Sequence, residues 1–312
     1  MRLWDEAVQR LGTDQVRTGE RVVAARETAN GAVAEILHAD GTRSERACDI
    51  LVGADGIHSA LRQQFYPDEG APRWNGMMMW RGTTLARPFL DGRTMVQAGH
   101  RRAKFVVYPI EPVRPDGLQR INWICDRRLR EDGFGGGLTA PSREDWSKPG
   151  SLDDLLPTFG SWRFAWLDVP GLIRAAEQIL EWPMVDRDPL PRWRHGHTTL
   201  LGDAAHPMYP IGSNGATQAI LDAAALADAL DGHASITAAL NAYEAARLPM
   251  TRDIVAMNRR EGLDAILDMV EEAAPEGFAR IEDVTDPTVL AEWVQAYKRA
   301  AGHQVARPQA AS

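Results

Sequence analysis

The segment Leu200–Asp222, LLGDAAHPMYPIGSNGATQAILD, holds residue types that could cradle a ligand where a strand passes into a helix. Asp203 follows a short apolar run, and a carboxylate at that point can accept hydrogen bonds from sugar hydroxyls. The turn Pro210–Gly215 contains Gly212 and ends at a second glycine. Glycines let backbone N–H groups approach a ligand closely. We call this stretch the GD segment and its turn the glycine turn.

An alanine-rich helix is predicted from Ala216, directly after the glycine turn. The first N–H groups of a helix and its macrodipole favour an anionic ligand group. A reduced flavin is such a group, because it carries negative charge at its pyrimidine edge. A tight strand-to-helix turn without any ligand is the alternative. The joint presence of Asp203, Pro210, Gly212 and Gly215 favours a ligand site.

A second segment has the same form and lies earlier in the chain. Residues Asp49–Arg62, DILVGADGIHSALR, deliver Asp55 and Gly56 from an apolar strand to a predicted helix, Ile57 to about Phe65. Because the strand is apolar on both faces, we expect a buried strand of a parallel sheet. On its own this pattern is common in α/β folds. We call it the DG segment.

The elements that must position these segments follow from turn signals and periodicity. Asn30-Gly31 and Asp40-Gly41 predict a β-meander from Val22 to Cys48. Strand-like runs between Met77 and Ile124 predict an antiparallel sheet. Leu180–Pro191 is interpreted as an extended connection. The predicted helices are the opening one and Leu152–Phe159, Val169–Gln178, Ala216–Leu230, Ser235–Arg247, Pro249–Glu272 and Pro287–Ala301.

Composition excludes several classes of partner. The 312 residues carry a net charge of −8 and no Lys/Arg block, which argues against nucleic acid and anionic membrane surfaces. Without an apolar run of about 20 residues or a signal peptide, we expect no membrane span and a cytoplasmic location. Cys48 and Cys125 have no disulfide or metal spacing and are interpreted as small buried apolar residues. A monomer and a homodimer both remain open.

Taken together, GADGIHSALR and the GD segment resemble the paired motifs of the group A flavin-dependent aromatic monooxygenases, which share the para-hydroxybenzoate hydroxylase fold. The resemblance spans nearly the whole chain and is strongest to members like 5-methylphenazine-1-carboxylate 1-monooxygenase. Further matching stretches are MMMWRG (77–82), FLDGRTM (89–95), WPMVDRDPLPRW (182–193) and YEAARLP (243–249).

This resemblance implies an FAD cofactor, NAD(P)H and O₂ as co-substrates, and a small aromatic or heteroaromatic substrate that is hydroxylated. Asp203 would bind the ribityl part of FAD, and the glycine turn would lie against the isoalloxazine ring. Asp55 would lie near the pyrophosphate, with Arg62 assisting. The resemblance names no catalytic base. The implied cofactor-binding residues are Asp55, Gly56, Arg62, Gly202, Asp203, Pro210, Gly212, Ser213, Asn214 and Gly215.

The resemblance also implies a mixed α/β fold. The expected domains are a partial Rossmann-like FAD-binding domain over 1–75, an inserted antiparallel-sheet substrate domain over 76–185, the FAD domain again over 186–260, and C-terminal helices and tail over 261–312. The family's opening GxGxxG turn has no counterpart here, since Gly133–Leu138 follows no strand. We therefore expect an N-terminal truncation, and a non-catalytic remnant that binds flavin weakly or only an aromatic ligand is the alternative function.

Two other chemistries have weaker support. Asp203, His206 and Ser213 are the residue types of a hydrolase triad, but no G-x-S-x-G surrounds the serine. We expect His206 to brace the turn instead. Asp203 and His206 with His195 and His197 do not have the spacing of a known metal site, so no metal is predicted.

Overall fold

The computed structural model describes residues 2–133, 138–141, 145–260 and 264–300. Over these residues the helices are α1 Arg2–Leu11, α2 Ala60–Phe65, α3 Leu152–Phe159, α4 Val169–Arg174, α5 Gly215–Gly232, α6 Ile236–Arg259, α7 Ala265–Ala273 and α8 Pro287–Ala300. The strands are β1 Glu20–Thr28, β2 Gly31–His38, β3 Arg43–Cys48, β4 Leu51–Gly53, β5 Arg73–Ala86, β6 Val96–His100, β7 Ala103–Pro109, β8 Gln119–Arg128, β9 Arg163–Phe164, β10 Leu167–Asp168, β11 Ile179–Asp186 and β12 Thr198–Leu200. The mixed α/β fold class is confirmed.

The chain divides into two compact units. The first comprises 1–70, 189–207 and 215–252, and the second comprises 71–188, 208–214 and 253–312. In this division 208–214 and 253–312, which include the end of α6, belong to the second unit, and the four expected domains remain a prediction. The GD segment is therefore shared: Gly202 and Asp203 belong to the first unit, and most of the glycine turn to the second.

In the first unit, β1, β2 and β3 form the expected meander, and β4 pairs in parallel with β12. Leu200, Trp193, Leu240 and Tyr243 are at the centre of its core and are at most 1% exposed. The parallel strand is shorter than expected. Val52, in its middle, is 36% exposed, so the expectation of burial on both faces was wrong. Val52 points to the opposite face from Gly53, whose neighbours are Leu61 and Leu200.

In the second unit, a five-stranded antiparallel sheet has the order β11-β5-β8-β7-β6. The four predicted strands are present, but the interpretation of Leu180–Pro191 as a connection was wrong over its first part. Residues up to Asp186 extend the sheet as an edge strand. An edge position tolerates Pro183, which cannot donate to a ladder, and the register shifts directly after it.

Two helix boundaries were also wrong. Helices were expected over Ser235–Arg247 and Pro249–Glu272, but α6 continues through Pro249 and ends at Arg259, and α7 begins at Ala265. Proline removes one helical N–H bond, and Arg247 and Thr251 on either side of it are buried. No helix in the described part of the chain is long and apolar enough to cross a membrane.

A half-buried histidine predicts a pH-dependent stability for the first unit. The His195 ring stacks on Phe65 with centroids 3.9 Å apart and meets Tyr66 edge-on. Desolvation, with the charge of Arg192, lowers its pKa to about 4. In the unfolded chain the pKa is about 6.5, so between these values the unfolded state binds the extra proton.

We therefore expect the free energy of unfolding to fall as the pH drops from about 6.5 to about 4, and this component to be absent from His195→Asn. Urea midpoints of both proteins at the two ends of this range provide the test. An equal pH dependence in wild type and variant would assign the effect to other groups.

Candidate functional site

Two parallel strands of the first unit bring the DG and GD segments to the same sheet edge. In β4 and β12, Gly53 pairs with Leu200, and the N–H of Leu201 donates to the Gly53 carbonyl. Asp55 and Asp203 thus follow the carboxyl ends of neighbouring parallel strands. Ligands of α/β sheets bind at such ends.

Arg62 joins the two segments. Its Nη1 donates to the carbonyls of Ala204 and Ala205 at 3.2 and 2.8 Å, and its Nε donates to Glu69. The residue is only 1% exposed. Arg62 therefore holds the backbone of the GD segment through these carbonyls. Its buried side chain presents little surface to a ligand. Asp55 in turn accepts a hydrogen bond from the N–H of Ala60 at the start of α2.

A buried ionic network at the GD segment was not found from the sequence. Asp222, which is 0% exposed, accepts from the Gly202 N–H at 3.1 Å, from His206 Nε2 at 2.5 Å and from Arg247 Nε at 2.7 Å. Arg247 also donates to Gln218. Although burial opposes ionisation, these bonds hold the pKa of Asp222 below its ordinary value.

The network shows which carboxylate His206 contacts. The expectation that it braces the turn is supported, because its carboxylate partner is Asp222 and not Asp203. This pairing removes the basis of the hydrolase-triad alternative. A signal was present in the sequence, since Gln218 and Asp222 are polar residues one turn apart on the buried side of an alanine-rich helix.

Asp203 lies beside the start of α5. A Cβ on Gly215 would lie 3.9 Å from Asp203 Oδ1, an ordinary contact distance, so the carboxylate is next to the first residue of the helix. Gly202 has φ of 60° and packs against Ala219. The Asp203 side chain is exposed, yet desolvation by the surrounding chain raises its pKa above the ordinary value.

The glycine turn has unusual backbone angles within the second unit. Gly212 has φ of 71° and Ser213 has φ of 57°, a region that few residues other than glycine adopt. The Ser213 N–H donates to the Pro210 carbonyl at 3.1 Å, while Asn214 is fully buried. Successive N–H groups in such turns form concavities that bind anions, and α5 begins immediately afterwards.

The residues present fit a flavin. An exposed carboxylate suits the hydroxyls of the ribityl chain, and the glycine turn with the first N–H groups of α5 suits the electron-rich edge of the ring. The glycine-rich stretch that was rejected as a fingerprint falls at 134–137, outside the described residues.

A pocket of about 500 Å³, partly open to solvent, lies in the second unit. Its apolar wall combines Met77 of β5, Met184 of β11 and Tyr209 and Ile211 of the GD segment. Trp80 of the same strand does not line the pocket. On β5 its side chain points to the opposite face of the sheet from those of Met77 and Met79. Its indole N–H donates to Glu181.

The polar wall of the pocket contains a buried ion cluster. Lys104 of β7 pairs with Asp126 at 3.0 Å and with Asp264 just before α7. Burial opposes the charge of Lys104, but the two carboxylates raise its pKa above the ordinary value. Gln97 donates to Asp264 as well. Ion pairs therefore connect β7 with the residue that precedes α7 at this wall. No local sequence pattern indicates this contact.

Comparison with known proteins adds to this geometry. Residues 2–136 and 170–258 match the FAD binding domain family. The chain belongs to this family. The relatives that the chain matches are named as hydroxylases and monooxygenases. Phenazine 1,6-dicarboxylic acid hydroxylase PhzS of Lysobacter antibioticus is 45% identical over 258 residues, which are 80% of this chain and 61% of the relative.

Two further proteins are similar to the chain. The 3-amino-4-hydroxybenzoate 2-monooxygenase PtnB3 of Streptomyces platensis is 36% identical over 79% of this chain and 58% of its own length. The structure of Klebsiella pneumoniae HpxO with FAD and uric acid matches with a TM-score of 0.64 and 24% identity, over 96% of this chain and 67% of that chain. The chain spans about three fifths of the length of these two curated relatives.

Proposed function

We propose that this chain is the catalytic part of an FAD-dependent monooxygenase that uses NAD(P)H and O₂ to hydroxylate a small aromatic or heteroaromatic compound. The observation that carries the proposal is the GD segment, in which an exposed carboxylate precedes a glycine turn and a helix start. Bound FAD supplies the redox chemistry between NAD(P)H and O₂. The residues of the chain bind and orient the cofactor and the substrate and shield them from water.

Each part of the segment has a distinct role in this proposal. Asp203 accepts hydrogen bonds from the ribityl hydroxyls next to the first residue of α5. The N–H groups of the glycine turn stabilise negative charge at the flavin ring, which is the larger part of what a protein contributes to such chemistry. Asp55 and Gly56 bind near the pyrophosphate. Gly56 has φ of 80° and open space beside its Cα.

The pocket of the second unit takes the aromatic substrate in this proposal. Thioether and aromatic walls from Met77, Met184 and Tyr209 pack well against a flat ring. Both relatives described above are named for aromatic acids with one or more rings, which supports a substrate of this class.

The test is the oxidation of NADH and of NADPH by the FAD-loaded protein, with phenazine-1,6-dicarboxylic acid and 3-amino-4-hydroxybenzoate as first substrates. The proposal expects oxidation to accelerate with an aromatic compound and a hydroxylated product to form. A protein that binds no flavin, or one whose flavin is reduced without any hydroxylated product over a broad panel of aromatic compounds, would contradict it.

A substitution in the pocket tests the substrate assignment separately. Met77→Trp fills the space that the thioether borders, so we expect aromatic ligands to bind at least about tenfold more weakly, because overpacking a formed site costs about 1–3 kcal/mol. Met95→Trp is the control, since Met95 is 53% exposed. Equal affinities measured by tryptophan fluorescence in both variants would place the ligand elsewhere.

A further inference from the structure

The carbonyl that leads into the glycine turn is held by a residue from far along the chain. Asn258, near the end of α6, donates through Nδ2 to the Tyr209 carbonyl at 2.9 Å. That carbonyl belongs to the peptide bond of Pro210. Because proline fixes its own φ, the plane of this peptide bond sets the direction in which the turn leaves. Asn258 is 0% exposed and also lines the pocket.

The position of Asn258 is fixed by its neighbour. Arg259 makes a two-bond contact with Asp186 of β11, at 2.7 and 2.9 Å, and a further bond to Asp188 at 2.7 Å. Asp186 is fully buried. Two-bond guanidinium–carboxylate contacts are the most directional ion pairs in proteins. The end of α6 is thereby attached to the sheet edge, and the Asn258 amide has a fixed place.

The other side of the same peptide is also held within the second unit. The Tyr209 ring packs among Met77, Met79, Met184 and Ile211. Its hydroxyl donates to the Arg73 carbonyl at 3.4 Å. With ring and carbonyl both fixed, the left-handed backbone angle at Ser213 is supported by the wall of the pocket.

We propose that Asn258 is a positioning residue that sets the glycine turn against the flavin ring. The inference rests on the proposed function, since it requires the ring to bind at that turn. Asn258 acts through the Tyr209 carbonyl, so its loss changes the placement of the turn while leaving every residue of the turn intact. Because the same side chain borders the pocket, the placement of the flavin ring and the shape of the pocket depend on one amide.

A matched control is available on β8 of the same unit. Asn122 is 0% exposed, does not line the pocket, and accepts a hydrogen bond from Arg81 Nε at 2.7 Å. Asn122→Ala therefore removes a buried amide without touching the Tyr209 carbonyl or the pocket. Asn258→Asp keeps the volume of the side chain but replaces the donor with an acceptor facing a carbonyl, and it serves beside Asn258→Ala if the smaller residue impairs folding.

The experiment measures the FAD dissociation constant, the visible circular dichroism of the bound flavin and its midpoint potential in wild type and the three variants. Both Asn258 variants should bind FAD about five- to tenfold more weakly, the effect of one lost buried hydrogen bond. They should also change the flavin dichroism and potential, which Asn122→Ala should leave as in wild type. If all variants keep the wild-type dichroism and potential, or if Asn122→Ala shifts them equally, the inference is overturned. A wild-type protein that binds no FAD would instead overturn the proposed function.

Discussion

Replacing Asp203 by alanine is expected to weaken FAD binding by roughly ten- to hundredfold, because hydrogen bonds to a charged group contribute about 1.5–3 kcal/mol. The carboxylate stands at the end of a parallel strand, next to Gly215, and its pKa is raised by desolvation. Neutral asparagine keeps an acceptor, so Asp203→Asn should lose less affinity than the alanine variant. Flavin fluorescence titration of the apoprotein measures both.

The control for this prediction is Asp231→Asn, which removes an exposed carboxylate from the far end of α5. Its FAD affinity should equal that of wild type. If Asp203→Ala binds FAD as tightly as this control, the carboxylate does not contact the cofactor, and the assignment of the GD segment to the ribityl chain fails.

Replacing Asp222 by alanine is expected to lower the free energy of unfolding by about 3–5 kcal/mol, since it leaves Arg247 buried without its carboxylate. At roughly 2–4 °C per kcal/mol for proteins of this size, the melting temperature should fall by roughly 6–20 °C. The Gly202 N–H and His206 lose their acceptor at the same time. Thermal unfolding followed by far-ultraviolet circular dichroism measures the change.

An exposed ion pair provides the comparison. Arg26 and Glu45 form a salt bridge at 2.7 Å with both side chains about half exposed. Such pairs contribute at most about 1 kcal/mol, so Glu45→Ala should change the melting temperature little. Similar losses in the two variants would mean that the Asp222 network does not anchor the GD segment.

Features set by local chemistry could be predicted from the sequence. Asn-Gly and Asp-Gly turns fix the meander, and Ser151 caps α3 where the helix was expected to begin. The order of Asp203, Pro210, Gly212 and Gly215 indicated a ligand site because each residue type has a backbone or charge requirement at that place.

Features that depend on distant residues could not be predicted. Asp222 meets Arg247 across a helix–helix contact, and Lys104 meets Asp264 from 160 residues away. The β11 strand contains Pro183, which locally opposes a strand, and only pairing with β5 shows that it is an edge. No local sequence pattern marks Asn258, because its proposed role follows from a hydrogen bond to the distant Tyr209 carbonyl.

In the proposed function, the GD segment would bind the flavin and the pocket would bind the aromatic ring that is hydroxylated. The most direct measurement supplies isotopically labelled O₂ to the FAD-loaded protein with NAD(P)H and an aromatic acid, and follows the label by mass spectrometry. We expect one labelled oxygen atom in the hydroxylated product. The yield of this product should be lower in Asp203→Ala and Met77→Trp than in wild type. Label recovered only in hydrogen peroxide, or product oxygen derived from water, would contradict it.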